Sequence, residues 1–160
     1  MANTSGIRLL VLDVDGVLTD GKVYYGPSGE VAKSFHVRDG YGLRQLLNAG
    51  IQIAIISGRA SAGAAIRFQE LGIEHVFLAC KTKRATLGAL QQQLGIEHSA
   101  TAVVGDDLPD MEMMTGAGLR VAVANAHRDV QRDADFVTTL AGGEGAVREV
   151  CDALLSANSK

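Results

Sequence analysis

The chain has no tryptophan, and its two cysteines, Cys80 and Cys151, stand far apart and form no Cys-x-x-Cys pair. A disulfide framework and a zinc site of ordinary spacing are therefore excluded, and both thiols are expected in the core. Aromatic residues make up 4% of the sequence and the formal net charge is -3. Neither a basic surface nor a set of stacking rings is on offer to nucleic acid. No apolar run, Leu9 to Leu12 among them, approaches the ~20 residues that span a bilayer. No basic segment followed by an apolar signal region opens the chain, so the expectation is a cytoplasmic protein without membrane contact.

What remains is an ordinary globular composition, with 47% hydrophobic and 21% charged residues over 160 positions. That length suits one domain with a full core. Short runs rich in Val and Ile read as strands: Leu9 to Val14, Ile51 to Ile56, His75 to Leu78, Thr101 to Val104, Leu119 to Val123 and Asp135 to Val137. Between them, the stretches 41–48, 62–71, 84–94, 109–115 and 127–132 carry apolar residues at helical spacing, and Gly72 and Gly95 stand at C-cap positions. A last helix is expected from about Gly145 to Leu155, with the first few residues and 156–160 loose. The alternation predicts an α/β fold, a single Rossmann-like domain with a parallel sheet flanked by helices. One segment breaks the rhythm. Lys22 to Tyr25 and Glu30 to Val37, joined through Gly26-Pro27-Ser28-Gly29, signal a β-hairpin directly after the first strand, where open α/β sheets bind their ligands.

Carboxylates cluster at two strand ends. Asp13-Val14-Asp15-Gly16 places two of them two residues apart, suited to a nucleophile and a proton donor. A calcium loop is excluded, because Val17 and Leu18 occupy positions where it needs an oxygen ligand and glycine. Gly105-Asp106-Asp107-Leu108-Pro109-Asp110 supplies three more, and hard oxygen ligands in such a group favour magnesium. The alternative is that Asp106 and Asp107 merely cap the following helix. Ser57-Gly58-Arg59 ends another strand with a hydroxyl and a guanidinium for phosphoryl oxygens, and Lys83 opens the helix after the next.

In order and residue type these four pieces resemble the motifs of the haloacid dehalogenase superfamily of phosphatases. The resemblance implies Asp13 as nucleophile, Asp15 as general acid and base, Ser57 as phosphate ligand and Lys83 as the neutralising lysine. It also implies Mg2+ on Asp13, the Asp15 carbonyl and Asp106, with Asp107 and Asp110 orienting their surroundings. No room exists for the cap domain that usually covers such sites, which predicts a homo-oligomer. Three segments, Asp13 to Gly21, Phe35 to Gly42 and Ala141 to Glu149, are similar to the capless 3-deoxy-D-manno-octulosonate 8-phosphate phosphatases over about Leu9 to Leu155. That likeness implies a homotetramer whose hairpins meet, a small sugar-acid phosphate as substrate, and a role in supplying lipopolysaccharide precursors. It further implies that Asp15, His36, Val37, Arg38, Asp39, Gly40, Arg44, Arg59, Arg67 and Lys83 bind substrate, some of them in a neighbouring subunit. Arginine pairs naturally with both the phosphate and the carboxylate of such a molecule. Asn125 departs from the aspartate expected there. Two other readings stay open: a phosphatase for a nine-carbon sugar acid of the sialic type, and a catalytically silent oligomerisation module.

Overall fold

The structure, a computed structural model, describes residues 5–158; the expected loose start and the final two residues of the expected loose tail lie outside them. Its main sheet has six parallel strands, β1 (Leu9–Leu12), β4 (Gln52–Ile56), β5 (His75–Phe77), β6 (Thr101–Gly105), β7 (Leu119–Ala122) and β8 (Phe136–Val137), in the spatial order β5-β4-β1-β6-β7-β8. Every residue of β1 and β6 is buried, as continuous apolar runs covered on both faces require. The helices are α1 (Val37–Asn48), α2 (Ala62–Leu71), α3 (Lys83–Leu94), α4 (Leu108–Met114), α5 (Arg128–Asp133) and α6 (Ala146–Asn158). A single 3₁₀ turn at His98–Ala100, which the sequence did not announce, leads into β6. Two further strands, β2 (Tyr24–Gly26) and β3 (Gly29–Ala32), form a separate antiparallel pair where a hairpin was expected, but the second ends at Ala32 rather than Val37, which already belongs to α1. No other element lies between β1 and β4 than this hairpin and α1.

Register explains why the chemistry converges. Leu12 pairs with Ile55 on one side and with Val104 on the other. The three strands therefore end level, and the residues just beyond them, Asp13, Ser57 and Asp106, emerge together at the carboxyl edge of the sheet.

Two helices differ from the sequence reading. Helix α1 begins at Val37 rather than Tyr41, because the His36 ring nitrogen accepts from the Arg38 N–H at 3.2 Å and caps the first turn. Its glycines are used for approach: a Cβ on Gly42 would lie 2.9 Å from Arg148 Cδ and 3.0 Å from Cys151 Cβ, so α1 and α6 pack face to face. Helix α6 runs on to Asn158, whose side-chain oxygen accepts from the Gly6 N–H, so residues 156–158 are helical rather than loose.

The same interface holds a buried carboxylate. Asp39, 1% exposed, accepts from the Arg148 N–H at 2.8 Å, satisfying a main-chain donor in the first turn of α6. Its other oxygen is buried without a hydrogen-bond partner, and burial pushes its pKa up. Asp39→Ala leaves the Arg148 donor unsatisfied and is expected to cost ~1–3 kcal/mol in urea unfolding. Asp39→Asn keeps an acceptor and removes the buried charge. A carboxyl with a raised folded pKa loses stability as pH rises above its ordinary value. The asparagine variant is therefore expected to match or exceed the parent at pH 7, and to lose its advantage toward pH 3.

Candidate active site

The loop after β1 turns sharply at Gly16, whose φ of +88° favours glycine, and a Cβ there would fall 2.0 Å from Asp106 Oδ2. The turn is stitched by Leu18 and Thr19 N–H groups donating to Val14 O. From the far end of the chain, Gly143 N–H donates to Val17 O at 3.1 Å. Gly142 sits so close that an added Cβ would be 1.7 Å from Gly16 O, and its N–H donates to Asn125 Oδ1 at 2.9 Å. The carboxamide of Asn125 thus supplies the acceptor that an aspartate would.

Around this loop opens a cleft of about 480 Å³, lined by Asp13, Asp15, Ser57, Arg59, Lys83 and the acidic loop after β6. Lys83 Nζ donates to Asp13 Oδ1 at 3.0 Å and to Asp110 Oδ1 at 2.7 Å. Both carboxylates raise its pKa against the opposing effect of burial, so it remains an ammonium. The Ser57 N–H donates to Phe77 O, and Ser57 O accepts from Cys80, which leaves the serine's hydroxyl as its contribution to a ligand.

Asp13, Asp106 and Asp110 each bring an oxygen within 4.8 Å of the others. Burial and the neighbouring Asp110 carboxylate push Asp13 up to about 6, against the pull of Lys83. Asp106 is pushed up to about 8 by burial and by Asp110, Asp13 and Asp107. Asp110 has both oxygens engaged: Oδ1 takes Lys83, and Oδ2 takes the N–H groups of Asp106 and Asp107 at 3.0 and 3.4 Å. With Asp107 it forms a capping box on α4. So helix capping and a carboxylate cluster coexist here, and the sequence alternatives were not exclusive. An all-oxygen, over-negative donor set of this kind fits a hard divalent cation, whose charge would relieve the repulsion that raises Asp13 and Asp106.

The carboxylate of Asp15 is not in that cluster. Lys33 Nζ donates to its Oδ1, and Arg59 Nε lies 3.5 Å from its Oδ2. Arg59 also donates to Tyr25 Oη at 2.9 Å, which ties the hairpin to a residue of the cleft lining. Lys33 and Tyr25 were not among the residues singled out from the sequence; the hairpin was, but an isolated lysine within it belongs to no motif.

The remaining residues expected to bind substrate lie elsewhere in the single chain. His36, Asp39 and the exposed Val37 belong to the start of α1, and Arg38 borders a second cleft of about 440 Å³ beside Arg148 and Asp152. A Cβ on Gly40 would meet Arg67 Nη2 at 2.3 Å, and Arg44 Nη1 donates to Leu71 O at 3.4 Å. None of these lines the central cleft.

A nucleophile candidate braced by lysine at the end of β1, with an acidic loop after β6, defines a hydrolase of the haloacid dehalogenase type. The sequence model of the haloacid dehalogenase-like hydrolases matches residues 79–150. All of the chain aligns, at 49% identity, with 85% of the 3-deoxy-D-manno-octulosonate 8-phosphate phosphatase KdsC of Escherichia coli (strain K12). Among solved structures, the 3-deoxy-D-manno-octulosonate 8-phosphate phosphatase of Yersinia pestis superposes with a TM-score of 0.96 at 44% identity, over 99% of this chain and 85% of that one. The enzyme of Moraxella catarrhalis, solved in complex with magnesium ion, phosphate ion and KDO, gives 0.94 at 43% identity, over 98% and 90%. The chain belongs to the family of 3-deoxy-D-manno-octulosonate 8-phosphate phosphatases, which are phosphoric monoester hydrolases.

Proposed function

We propose that the protein is a magnesium-dependent phosphatase that hydrolyses 3-deoxy-D-manno-octulosonate 8-phosphate through a phosphoryl group carried on Asp13. The observation that carries this reading is the pairing of a buried Asp13, held by Lys83 at 3.0 Å, with an Asp15 carboxylate held separately by Lys33 in the lining of the same cleft. Asp13, the Asp15 carbonyl and Asp106 would hold magnesium, which supplies charge neutralisation to the phosphoryl oxygens when bound. Asp110, with both oxygens occupied, orients Lys83 and the acidic loop, and Asp107 fixes α4.

In the first half-reaction an Asp13 oxygen forms a bond to phosphorus as the ester P–O bond breaks. The departing alkoxide takes a proton from Asp15. In the second, water attacks phosphorus, its proton passes to Asp15, and the bond to Asp13 breaks to release phosphate. Lys83 and the Ser57 hydroxyl balance the equatorial oxygens throughout, by position and charge.

His36, Val37 and Arg38 at the start of α1, with Arg44 and Arg67, are assigned to substrate contacts across a subunit boundary in a homotetramer, while the buried Asp39 and Gly40 hold that end of α1 in place. Exposed Tyr24, Tyr25 and Val31 on the hairpin support such an assembly, since apolar side chains at 51%, 65% and 65% exposure are suited to burial by another copy. No helix is long and apolar enough to cross a membrane among the described residues. The reading places the protein in the cytoplasm, supplying a precursor of lipopolysaccharide.

The test is phosphate release by the purified protein from 3-deoxy-D-manno-octulosonate 8-phosphate, a nine-carbon sugar-acid phosphate and hexose phosphates, with and without magnesium. A preference in kcat/KM of about 100-fold for the eight-carbon ester over the hexose phosphates, which lack its carboxylate, is expected, a difference equivalent to ~2.8 kcal/mol. A stronger response to the nine-carbon ester would reassign the substrate, and release independent of metal would sink the cofactor assignment.

A further inference from the structure

Beneath the hairpin lies a buried ammonium for which the mechanism above has no use. Lys33, one residue past β3, has a side chain only 1% exposed. Its Nζ donates to Asp15 Oδ1 and lies 3.2 Å from Glu30 Oε2, an ion pair without hydrogen-bond alignment. The other oxygen of Glu30 accepts from the Ser61 hydroxyl, and that hydroxyl also caps α2 by accepting from the Ala64 N–H at 3.2 Å. A chain of contacts, Asp15 to Lys33 to Glu30 to Ser61, therefore joins the loop after β1, the hairpin and the start of α2.

Burying an ammonium is costly unless opposite charges surround it, and breaking such a pair leaves the remaining charge stranded. Glu30 alone would anchor the hairpin. The lysine instead spends its closest contact on a carboxylate that lines the cleft, and takes up only one of its two oxygens. The free one, Oδ2, has the looser neighbour: Arg59 Nε at 3.5 Å, from a side chain 45% exposed.

We propose that Lys33 is a positioning residue for proton transfer, pinning Asp15 by Oδ1 so that Oδ2 is presented to the leaving oxygen of the phosphate ester. The inference rests on the phosphatase reading. In its first half-reaction the ester P–O bond breaks, the Asp13 O–P bond forms, and the proton on Asp15 Oδ2 goes to the departing alkoxide. A carboxylate free to turn about its terminal torsion would lose that alignment, and proton transfer demands hydrogen-bond distance.

The discriminating variable is the leaving group. An alkoxide must be protonated as it departs, whereas p-nitrophenolate leaves without a proton. Lys33→Met keeps the length of the stem and removes the charge. With the magnesium-loaded protein, its first-turnover rate on 3-deoxy-D-manno-octulosonate 8-phosphate is expected to fall ~100-fold, the lower end of what general acid catalysis supplies. The first-turnover burst of p-nitrophenolate from p-nitrophenyl phosphate is expected to stay within about threefold of the parent, because that step is insensitive to Asp15. Lys33→Arg should recover part of the alkyl rate. Equal losses on both esters, a change in KM alone, or no change on either would overturn the assignment and leave Lys33 as a hairpin anchor. If Lys33→Met does not fold, Lys33→Gln is held to the same ratio of alkyl to aryl rates. Asp13→Asn run in parallel removes both bursts. If it does not, the phosphatase reading fails and the leaving-group ratio no longer speaks for Lys33.

Discussion

Asp13→Asn is expected to lower phosphate release by about 10⁴-fold or more, the scale seen when a covalent nucleophile is removed from a site whose other parts remain. The asparagine occupies the same volume at the end of β1 and leaves the Lys83 to Asp110 contact at 2.7 Å in place, so the fold is retained. What disappears is the charged oxygen proposed to bond to phosphorus. The direct check is acid quenching during turnover of a labelled ester, with label expected on the peptide carrying Asp13 in the parent and absent in the variant. Full activity in Asp13→Asn would end the assignment. The variant also takes one negative charge from a crowded cluster, so without metal it should unfold at a higher temperature than the parent.

The second large effect concerns that crowding. Asp13 and Asp106 have folded pKa values raised to about 6 and about 8, from an ordinary value of 3.8. Between the ordinary and the raised values the folded protein holds more protons than the unfolded chain, so stability falls as pH rises through that window. Metal-free protein should therefore melt at a higher temperature at pH 5 than at pH 8. Magnesium competes with those protons and works in the opposite direction. At about 100 times its Kd it should add ~2.7 kcal/mol, or roughly 5–10 °C in Tm at pH 8 for a chain of this size. Asp106→Asn should flatten the pH slope and abolish the response to magnesium together. A melting temperature that rises from pH 5 to pH 8 without metal would contradict the charge balance described for the cluster.

Much of this was legible in the sequence because parallel strands buried on both faces leave an unmistakable trace. Leu9 to Leu12 and Thr101 to Val104 are such runs, and the motif residues sit directly after them. The start of α1 was not legible. Asp39-Gly40-Tyr41-Gly42 has the composition of a turn, yet there the glycines admit Arg67 and α6 against the helix. Capping and metal binding also draw on the same residue types, so it was open in the sequence whether Asp106 and Asp107 only cap α4; the distances put Asp107 in the cap and Asp106 in the carboxylate cluster. Lys33 had no signal at all: one lysine beside a short strand becomes informative only when Asp15 and Glu30 are seen around it. The split between cleft residues and the arginines beside α1 follows from the packing of α1 against α6 and α2, which no local pattern encodes.

The strand order carries a consequence for how the molecule is made. β1 precedes every other strand in the chain, yet its two neighbours are β4 and β6. On the ribosome, Leu9-Leu10-Val11-Leu12 has to wait with both edges bare until residues 52–56 and then 101–105 have emerged. At ~5–20 residues per second, the second partner arrives roughly 5–20 s after the first strand is synthesised. For that interval the most apolar segment of the nascent chain is an open template for wrong pairing, and a natural landing place for a chaperone. Asp13, directly after β1, thus acquires its surroundings only when the strands on both sides of β1 have been made.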